Sequence, residues 1–500
     1  MDASFNTETF CQTEKTRGKE IMSSVPGKTT KFSSFSSWFD DLVMEAKILD
    51  ARYPVKGFIV YRENGFRAIQ NIERIMEDLL HETGHEAVNF PDVISEDMFA
   101  KEAEHIKGFT TEVFWIERGG GSRLERRLIL RPTSETAMYP MFPYWIRSHA
   151  DLPFKIHQSV PVYRYETKAT RPLLRLREFL WNEGHTAHAT AEDAERQVKE
   201  GVDIYQHVYN EACLSYILLK RPDFDKFPGA EYSLAFDTWN PDGKVNQIGT
   251  VHNLGTNFAK VFNIMFEDKD GARRHVHQTC YGAGYTRILA AIIAQHGDDH
   301  GCVFPPAIAP IQVIVIPIVF KEKEQDIIDH AKNVYESIRP SFRAAIDERE
   351  DITPGEKFYY WEKMGVPIRV EVGPKETESG ILTVVRRDTL ERHSVQQNQI
   401  LERIQITLDR IKENLKVQSA EKMKESIADA SSKKQVATLL AKRKIARIQW
   451  CGSQACAEDL TQEVAGEIRG TRADIEETPE DNCLVCGGEA KAVAYVARAY

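Results

Sequence analysis

Arginines able to grip a triphosphate are the first chemistry this sequence offers. Val162-Tyr163-Arg164-Tyr165-Glu166 reads as a strand, a basic loop with Lys168, Arg171 and Arg175 follows, and Arg177-Glu178-Phe179-Leu180-Trp181 reads as a second strand. A guanidinium fixed near such a turn can bond phosphate oxygens in pairs and offset charge developing at phosphorus. Alone, an Arg-x-Glu on a strand is more often a solvated surface ion pair. A third segment shifts that balance. Cys280-Tyr281-Gly282-Ala283-Gly284-Tyr285-Thr286-Arg287 alternates small and larger residues before an arginine that opens an apolar helix with Ile288, Leu289, Ile292 and Ile293. Small residues at every second strand position clear one face for a ligand, and the arginine can reach phosphate or stack on a base. The alternative is a packed strand with an arginine capping the helix.

A second chemistry sits near the C-terminus. Cys451-x4-Cys456 and Cys483-x-x-Cys486 supply four thiols that suit a tetrahedral Zn2+. Protein would fill every position, so the metal would be structural; free thiols are the alternative, because the first spacing is loose. Of the 8 cysteines, Cys11, Cys213, Cys280 and Cys302 are scattered, and the whole pattern fits a reducing compartment better than disulfides.

These groups need elements to hold them. Ile69, Ile72, Ile75, Met76, Leu79 and Leu80 recur at helical spacing from Phe66, with Gly84 in the C′ position, and Ala87 to Phe90 reads as a strand ended by Pro91. Val113–Glu117 and Leu124–Leu130 flank Gly119, Gly120 and Gly121 as a hairpin. Thr190 caps an amphipathic helix running to Ala212, and strands are expected at Tyr232–Thr238 and Lys260–Phe266. Prolines 305, 306 and 310 mark a boundary, after which strand and helix alternate from Ile311 to about Leu401 as a compact α/β unit; a lysine-rich helical block follows. The chain therefore divides into a mobile tail (1–35) and units at 36–305, 306–405 and 406–500, in line with 500 residues at about 150 per domain.

Lys+Arg 65 against Asp+Glu 75 gives −10, so any contact with nucleic acid must be regional, and 42% hydrophobic with 28% charged residues excludes collagen-like, coiled-coil and wholly disordered chains. The longest apolar stretch, Ile311 to Phe320, is broken by Gln312 and Pro317 and falls short of the roughly 20 residues a membrane-spanning helix needs. The N-terminal stretch mixes Lys and Arg with Asp2, Glu8, Glu14 and Glu20 and has no apolar core, so a cytoplasmic protein is expected.

Taken together, the chain resembles a class II aminoacyl-tRNA synthetase. The helix, strand and Pro91 look like motif 1, Tyr163 to Glu166 with Arg177-Glu178-Phe179 like motif 2, and Cys280 to Arg287 like motif 3. Arg131-Pro132-Thr133-Ser134-Glu135-Thr136, Arg177 to His185, Thr250-Val251-His252 and Thr353-Pro354-Gly355-Glu356-Lys357-Phe358 narrow the likeness to prolyl-tRNA synthetases of the archaeal or eukaryotic type, over about Trp38 to Tyr500. The resemblance implies an α+β class II synthetase catalytic domain built on an antiparallel sheet with helices, then an α/β anticodon-binding domain and a small zinc-binding-like α+β C-terminal domain. It implies a homodimer, activation of L-proline with ATP and Mg2+, and transfer to tRNA(Pro).

Residue by residue, the resemblance gives Thr133 and Glu135 to the cyclic ammonium of proline. This agrees with the need of a desolvated cation for a carboxylate; a helix-capping role is the alternative for that pair. Trp181, Glu183, His185, His252 and Gly282 would wall the proline, although a buried histidine is commonly structural. Arg164 and Arg287 would be catalytic, with Arg164 bridging the proline carboxylate and the α-phosphate. Glu166, Arg175, Leu176 and Arg287 would contact ATP, Phe179 would stack on adenine, and Gln247 and Thr250 would help seat nucleotide and Mg2+. Arg349, Lys357, Lys363 and Arg369 are the anticodon candidates, with a solvated charged face as the alternative. Leu176 stands where relatives often have threonine, and Tyr285 is bulkier than the residues usual before the motif 3 arginine, so nucleotide contacts at both are open. His185 to Gln247 is too short an interval for a large editing domain, and Tyr500 is implied to return toward the catalytic domain. Rivals are another class IIa synthetase, which would lack the Trp181, Glu183 and His185 set, and a non-catalytic RNA-binding paralogue, which should have lost Arg164, Arg175 and Arg287.

Overall fold

The computed structural model describes residues 30–102, 112–319 and 324–500. Most of the expected tail, with Cys11, and Phe320 at the end of the apolar run lie outside them. Packed chain begins ahead of the expected boundary at 36: Lys31 is buried and its Nζ donates to Gly297 O at 2.6 Å, and Phe35, also buried, opens α1 (Phe35–Glu45).

The amphipathic helix predicted from Phe66 is α2 (Glu63–Glu82), with Ile69, Ile72, Met76 and Leu80 on its buried face. The strand expected after it is only β1 (Glu86–Ala87). Beyond Val88, the Phe90 amide is taken by the Gln158 side chain at 3.0 Å instead of a neighbouring strand, so the chain leaves the sheet before Pro91. The hairpin forms as expected from β2 (Phe114–Gly119) and β3 (Ser122–Leu130).

Next come β4 (Phe154–Tyr163) and β5 (Glu178–His188). The motif 2 arginines therefore stand in the loop between the strands rather than on them, and Arg164 N–H bonds Arg177 O at 2.9 Å to close its base. Thr190 Oγ1 accepts from Asp193 N–H at 3.2 Å and starts α3 (Ala191–Glu211), after which β6 (Ile217–Lys220), β7 (Tyr232–Trp239) and β8 (Lys244–Gly255) follow. Only α3, β6 and β7 lie between β5 and β8.

The strand expected at Lys260–Phe266 is instead α4 (Asn257–Phe262) with a short strand at Met265–Glu267. Phe258, Ala259 and Phe262 bury at helical spacing, so packing overrides the β preference of Val261 and Phe262. Motif 3 is β9 (His277–Gly284) running into α5 (Tyr285–His296). Ile72 and Met76 of α2, Val198, Tyr205 and Val208 of α3 and Ile288 and Ile292 of α5 share one core. Burial of each such side chain is worth about 1.5–3 kcal/mol.

A second sheet follows from β10 (Val313–Pro317), α6 (Glu324–Ile338), β11 (Ala344–Ile346), α7 (Pro354–Met364), β12 (Ile368–Val372), β13 (Ile381–Arg386) and β14 (Arg392–Gln396). Its order is β11-β10-β12-β13-β14, with β10 parallel to both neighbours, the α/β unit expected from the sequence. The long α8 (Ile400–Ser426) leads to β15 (Ile427–Asp429), α9 (Lys433–Ala441), β16 (Ile445–Trp450), α10 (Gln454–Glu463), β17 (Glu467–Arg472) and β18 (Ala492–Ala499).

These last strands are not a separate sheet. One 11-stranded sheet runs β15-β16-β18-β17-β6-β7-β8-β9-β5-β4-β1, joined where Thr471 and Arg472 of β17 pair with Lys220 and Leu219 of β6. Tyr500 N–H reaches Val245 O at 3.3 Å and its hydroxyl donates to Asp242 at 2.6 Å, so the chain end does return to the catalytic sheet. No helix among the described residues is long and apolar enough to cross a membrane.

Where β5 meets β9, Gly184 lies under the Tyr281 ring, and a Cβ there would fall 2.0 Å from Tyr281 Cε2. Tyr281 cannot yield easily, since its hydroxyl is held by His85 Nε2. Gly184→Ala is expected to cost about 1–3 kcal/mol through overpacking, read as a thermal midpoint several degrees below wild type at the same scan rate.

Candidate active site

Side chains alternate across a strand, so Trp181, Glu183 and His185 of β5, Cys280, Gly282 and Gly284 of β9, and Thr250 and His252 of β8 project toward one face of the sheet. They border a cavity of about 440 Å³ together with Thr133, Glu135, Arg164, Phe179, Gln247 and Arg287. Gly282 makes room there, because a Cβ at that position would come within 3.0 Å of the Trp181 indole.

Thr133 and Glu135 arrive on the turn after β3. That turn is anchored by Arg131, a fully buried guanidinium that donates to Phe90 O at 2.7 Å and Pro161 O at 3.1 Å and pairs with Asp92. Thr133 Oγ1 donates to Glu135. Glu183 accepts from Ser134 Oγ, from Gln158 Nε2 at 2.8 Å and from His185 Nε2 at 3.2 Å, while Tyr139 Oη lies 3.1 Å from His185 Nδ1. Burial pushes the His185 pKa down, but the Glu183 hydrogen bond and the charges of Glu135 and Glu183 outweigh it and hold it above the usual imidazole value. Burial likewise pushes Glu183 up and is outweighed by His185, Ser134 and Gln158, which hold it below the usual carboxylate value. His252 differs: burial, helped by the charges of His185 and Arg221, lowers it to about 3, and the neutral ring bonds Ser233 Oγ at 2.7 Å.

The rest of the cavity is basic. Arg164 Nε donates to Pro132 O at 3.0 Å, and its guanidinium lies 5.3 Å from the Phe179 ring centre and 5.6 Å from that of Trp181. Burial lowers its pKa, partly offset by Glu135, Glu112, Glu183 and Glu166. Arg287 is held by backbone carbonyls, Leu174 O and Gln247 O, both at 3.2 Å. Burial and the charges of Arg164, Arg175 and Arg469 bring it down to about 10, the signature of a cation crowded by cations. Glu166, Arg175 and Leu176 line a smaller hollow beside Arg164, Phe179 and Arg287, with Arg175 3.8 Å from Glu166. Tyr285 stands away from the cavity, its hydroxyl 2.8 Å from Ser159 Oγ.

Three residues of this region carried no signal in the sequence. Asp237 is fully buried between Arg221, at 2.7 Å, and Arg469 of β17, at 2.9 Å; Arg221 also donates to Gln247 Oε1 at 2.7 Å. Burial pushes Asp237 up, but the two guanidiniums bring it to about 2. Arg469 and Arg221 both border the cavity, so the C-terminal strands supply part of its wall. A sequence signal could not have shown this, because Arg469 is 232 positions from its carboxylate.

The four candidate RNA-contacting cations lie in the α/β unit, Lys357 and Lys363 on α7, Arg369 on β12 and Arg349 between β11 and α7, and three of them have partners within the protein. Lys357 is buried, donating to Asp347 O at 3.0 Å; Arg369 is tied to Glu362 at 2.7 Å and Glu371 at 3.0 Å; and Lys363 bridges to Glu45 of α1 at 2.6 Å. Each charge is spent inside the protein. Arg349 is half exposed, paired with Asp347 at 2.6 Å and stacked on Tyr360.

The cysteines Cys451, Cys456, Cys483 and Cys486 bring all four Sγ atoms within 4.8 Å of one another. Cys451 lies 3.6 Å from Cys456 and 3.9 Å from Cys486. Zinc–sulfur arms of about 2.3 Å set tetrahedral corners about 3.8 Å apart, so the set fits Zn2+. Burial raises the Cys483 thiol, but the backbone N–H groups of Cys486, Val485 and Cys451 outweigh this and favour the thiolate.

Comparison with known proteins agrees with this geometry. The family description "tRNA synthetase class II core domain (G, H, P, S and T)" matches residues 114–296, "Anticodon binding domain" matches 312–407, and "Prolyl-tRNA synthetase, C-terminal" matches 434–500. The proline–tRNA ligase of Thermococcus kodakarensis is 48% identical over 473 residues, covering 93% of this chain and 98% of that relative. The chain belongs to the prolyl-tRNA synthetase family. Another family member, from Methanocaldococcus jannaschii, is 50% identical over 394 residues, covering 79% of this chain and 86% of its own. Among solved structures of the family, the Giardia lamblia enzyme in complex with prolyl-adenylate superposes with a TM-score of 0.91 at 36% identity, over 95% of this chain and 100% of the other. The Cryptosporidium parvum enzyme, complexed with halofuginone and AMPPNP, gives 0.89 at 32%, again over 95% and 100%.

Arg469→Ala would leave Asp237 with one guanidinium and Gln247 on a loosened Arg221. We expect the KM for ATP to rise about tenfold in pyrophosphate exchange, a loss of about 1.4 kcal/mol, with the KM for proline changing less than threefold and Arg469→Lys recovering part of the effect.

Proposed function

We propose that this cavity joins L-proline to ATP and passes the prolyl group to tRNA(Pro), releasing pyrophosphate and then AMP. The observation that carries the reading is that one cavity is bordered by Glu135 and Glu183 and by Arg164 and Arg287, with Arg164 under the influence of both acids and bearing on Arg287. Proline and ATP present the complementary charges: a ring ammonium, a carboxylate and phosphates.

In this reading Glu135, oriented by Thr133, accepts the ammonium, which would otherwise be desolvated without a partner. Trp181, Glu183, His185 and His252 wall the ring, and Gly282 keeps its space open. Arg164 draws the proline carboxylate onto the α-phosphorus. Arg175 and Arg287 hold phosphate oxygens, Phe179 stacks on adenine beside Leu176 and Glu166, and Gln247 and Thr250 seat the nucleotide. The carboxylate oxygen attacks the α-phosphorus in line, the bond to pyrophosphate breaks, and positioning with charge neutralisation supplies the acceleration. The terminal ribose hydroxyl of tRNA(Pro) then attacks the prolyl carbonyl carbon and AMP departs. Mg2+ would neutralise phosphate charge while keeping few protein ligands, which suits a site where Gln247 Oε1 already accepts from Arg221.

Three further parts belong to the same reading. The four cysteines hold a structural Zn2+ that staples β16 to the chain before β18. Two chains pair through α2 and β1 as a homodimer, and the reaction runs in the cytoplasm. With only α3, β6 and β7 between β5 and β8, no editing unit is inserted there and alanine must be rejected by binding, where a missing methylene gives modest discrimination.

The decisive test is amino-acid-dependent exchange of labelled pyrophosphate into ATP, with proline set against alanine, cysteine, threonine and serine. Exchange chiefly with proline is expected, and Glu135→Ala should raise the proline KM by about 10- to 100-fold, since an unpaired buried charge costs roughly 1.5–3 kcal/mol; an unchanged KM would remove Glu135 from the site. Elemental analysis should find about one zinc per chain, lost in Cys483→Ala together with a lower thermal midpoint.

A further inference from the structure

Cys280 faces His185 across β9 and β5 and faces His252 across β9 and β8, so the three occupy matched positions on adjacent antiparallel strands. Residues so matched put their side chains on one face with Cβ atoms about 5 Å apart. All three border the cavity, and Glu135 closes on them from the turn after β3: its carboxylate, a His185 ring nitrogen and Cys280 Sγ lie within 4.8 Å of one another. The row is buried, with Cys280 3%, His185 1%, Glu135 3% and His252 8% exposed. Nothing in proline activation calls for a thiol at this point, and an ammonium has no use for sulfur.

Thiolate, imidazole and carboxylate form the donor set of borderline-soft divalent ions, and arms of 2.0–2.3 Å need donor atoms about 3.3–3.8 Å apart. Glu135, His185 and Cys280 reach that spacing by side-chain adjustments of about an ångström, and the second carboxylate of Glu183, 3.2 Å from His185 Nε2, adds negative charge. We propose that the floor of the amino-acid end is a second cation site, taking Zn2+ or a chemically similar ion in exclusion of proline through Glu135, His185 and Cys280. The proposal rests on the reading of Glu135 as the ammonium's partner: one carboxylate cannot serve both cations, so the metal competes with proline and leaves ATP binding untouched. Mg2+, which prefers oxygen and keeps its water, does not substitute.

The test uses full-length protein with its four-cysteine site filled, and free Zn2+ set by a chelator buffer in excess Mg2+. Zinc should raise the apparent KM for proline with kcat and the KM for ATP unchanged, and Cys280→Ser should weaken that inhibition at least tenfold, measured on whatever exchange the variant retains. As a second measurement, Cd2+ titrated into wild type should give one more equivalent with a sulfur charge-transfer band than into Cys280→Ser, and saturating proline should expel it. Zinc inhibition that proline cannot relieve, equal Cd2+ uptake by the two proteins, or proline-dependent exchange indifferent to zinc would overturn the proposal. Absence of proline-dependent exchange before any zinc is added would instead overturn the reading of the cavity, and this site with it.

Discussion

A carboxylate with no access to water, Asp237, holds the catalytic sheet and the C-terminal strands together. Two guanidiniums reach it from different parts of the chain, Arg221 after β6 and Arg469 on β17, and Arg221 passes the constraint on to Gln247. Breaking a buried pair of this kind leaves an uncompensated charge at a cost of about 3–5 kcal/mol. The pairing of β17 with β6 and the return of Tyr500 to Asp242 follow the same seam. The wall of the cavity is therefore complete only when Arg469 of β17 is in place.

Within the cavity, the constraint is to keep opposite charges apart without water between them. Glu183 and His185 hydrogen-bond each other at 3.2 Å, while four carboxylates offset the burial of Arg164 and its own charge bears on Arg287. Arg287, its pKa lowered by burial and by three guanidiniums, would be relieved by an arriving phosphate. Preorganised charge of this kind needs no rearrangement when the transition state forms, which is why the arrangement suits a reaction without a general base.

The second sheet uses its charges differently. Arg387 pairs with Asp298 at 2.6 Å, Lys363 with Glu45 at 2.6 Å, and Asn64 Nδ2 donates to Met364 O at 3.0 Å, so polar contacts fix this sheet against the catalytic body. Lys357 of α7 and Arg369 of β12 find their partners within the same unit, at Asp347 O and at Glu362 and Glu371. A run of basic residues in a sequence shows that charge is present and says nothing of who neutralises it.

The sequence by itself determined the elements whose signal is local: α2 and α3 by their apolar spacing and caps, β9 into α5 by its small residues, the α/β alternation from Ile311, and the cysteine cluster by its pairs. It also carried the motifs that name the family, and Thr133, Glu135, Arg164, Trp181, Glu183, His185, His252 and Arg287 do border one cavity. Only the tertiary structure decided where β1 stops, that α4 is a helix, that the last strands extend the catalytic sheet, that Arg221, Asp237 and Arg469 meet, and that Cys280 lies between His185 and His252. The reason is physical. Periodicity and capping report which face of a short segment leaves water, whereas strand register and the partner of a buried charge are settled between residues scores to hundreds of positions apart, where burial and pairing are decided jointly.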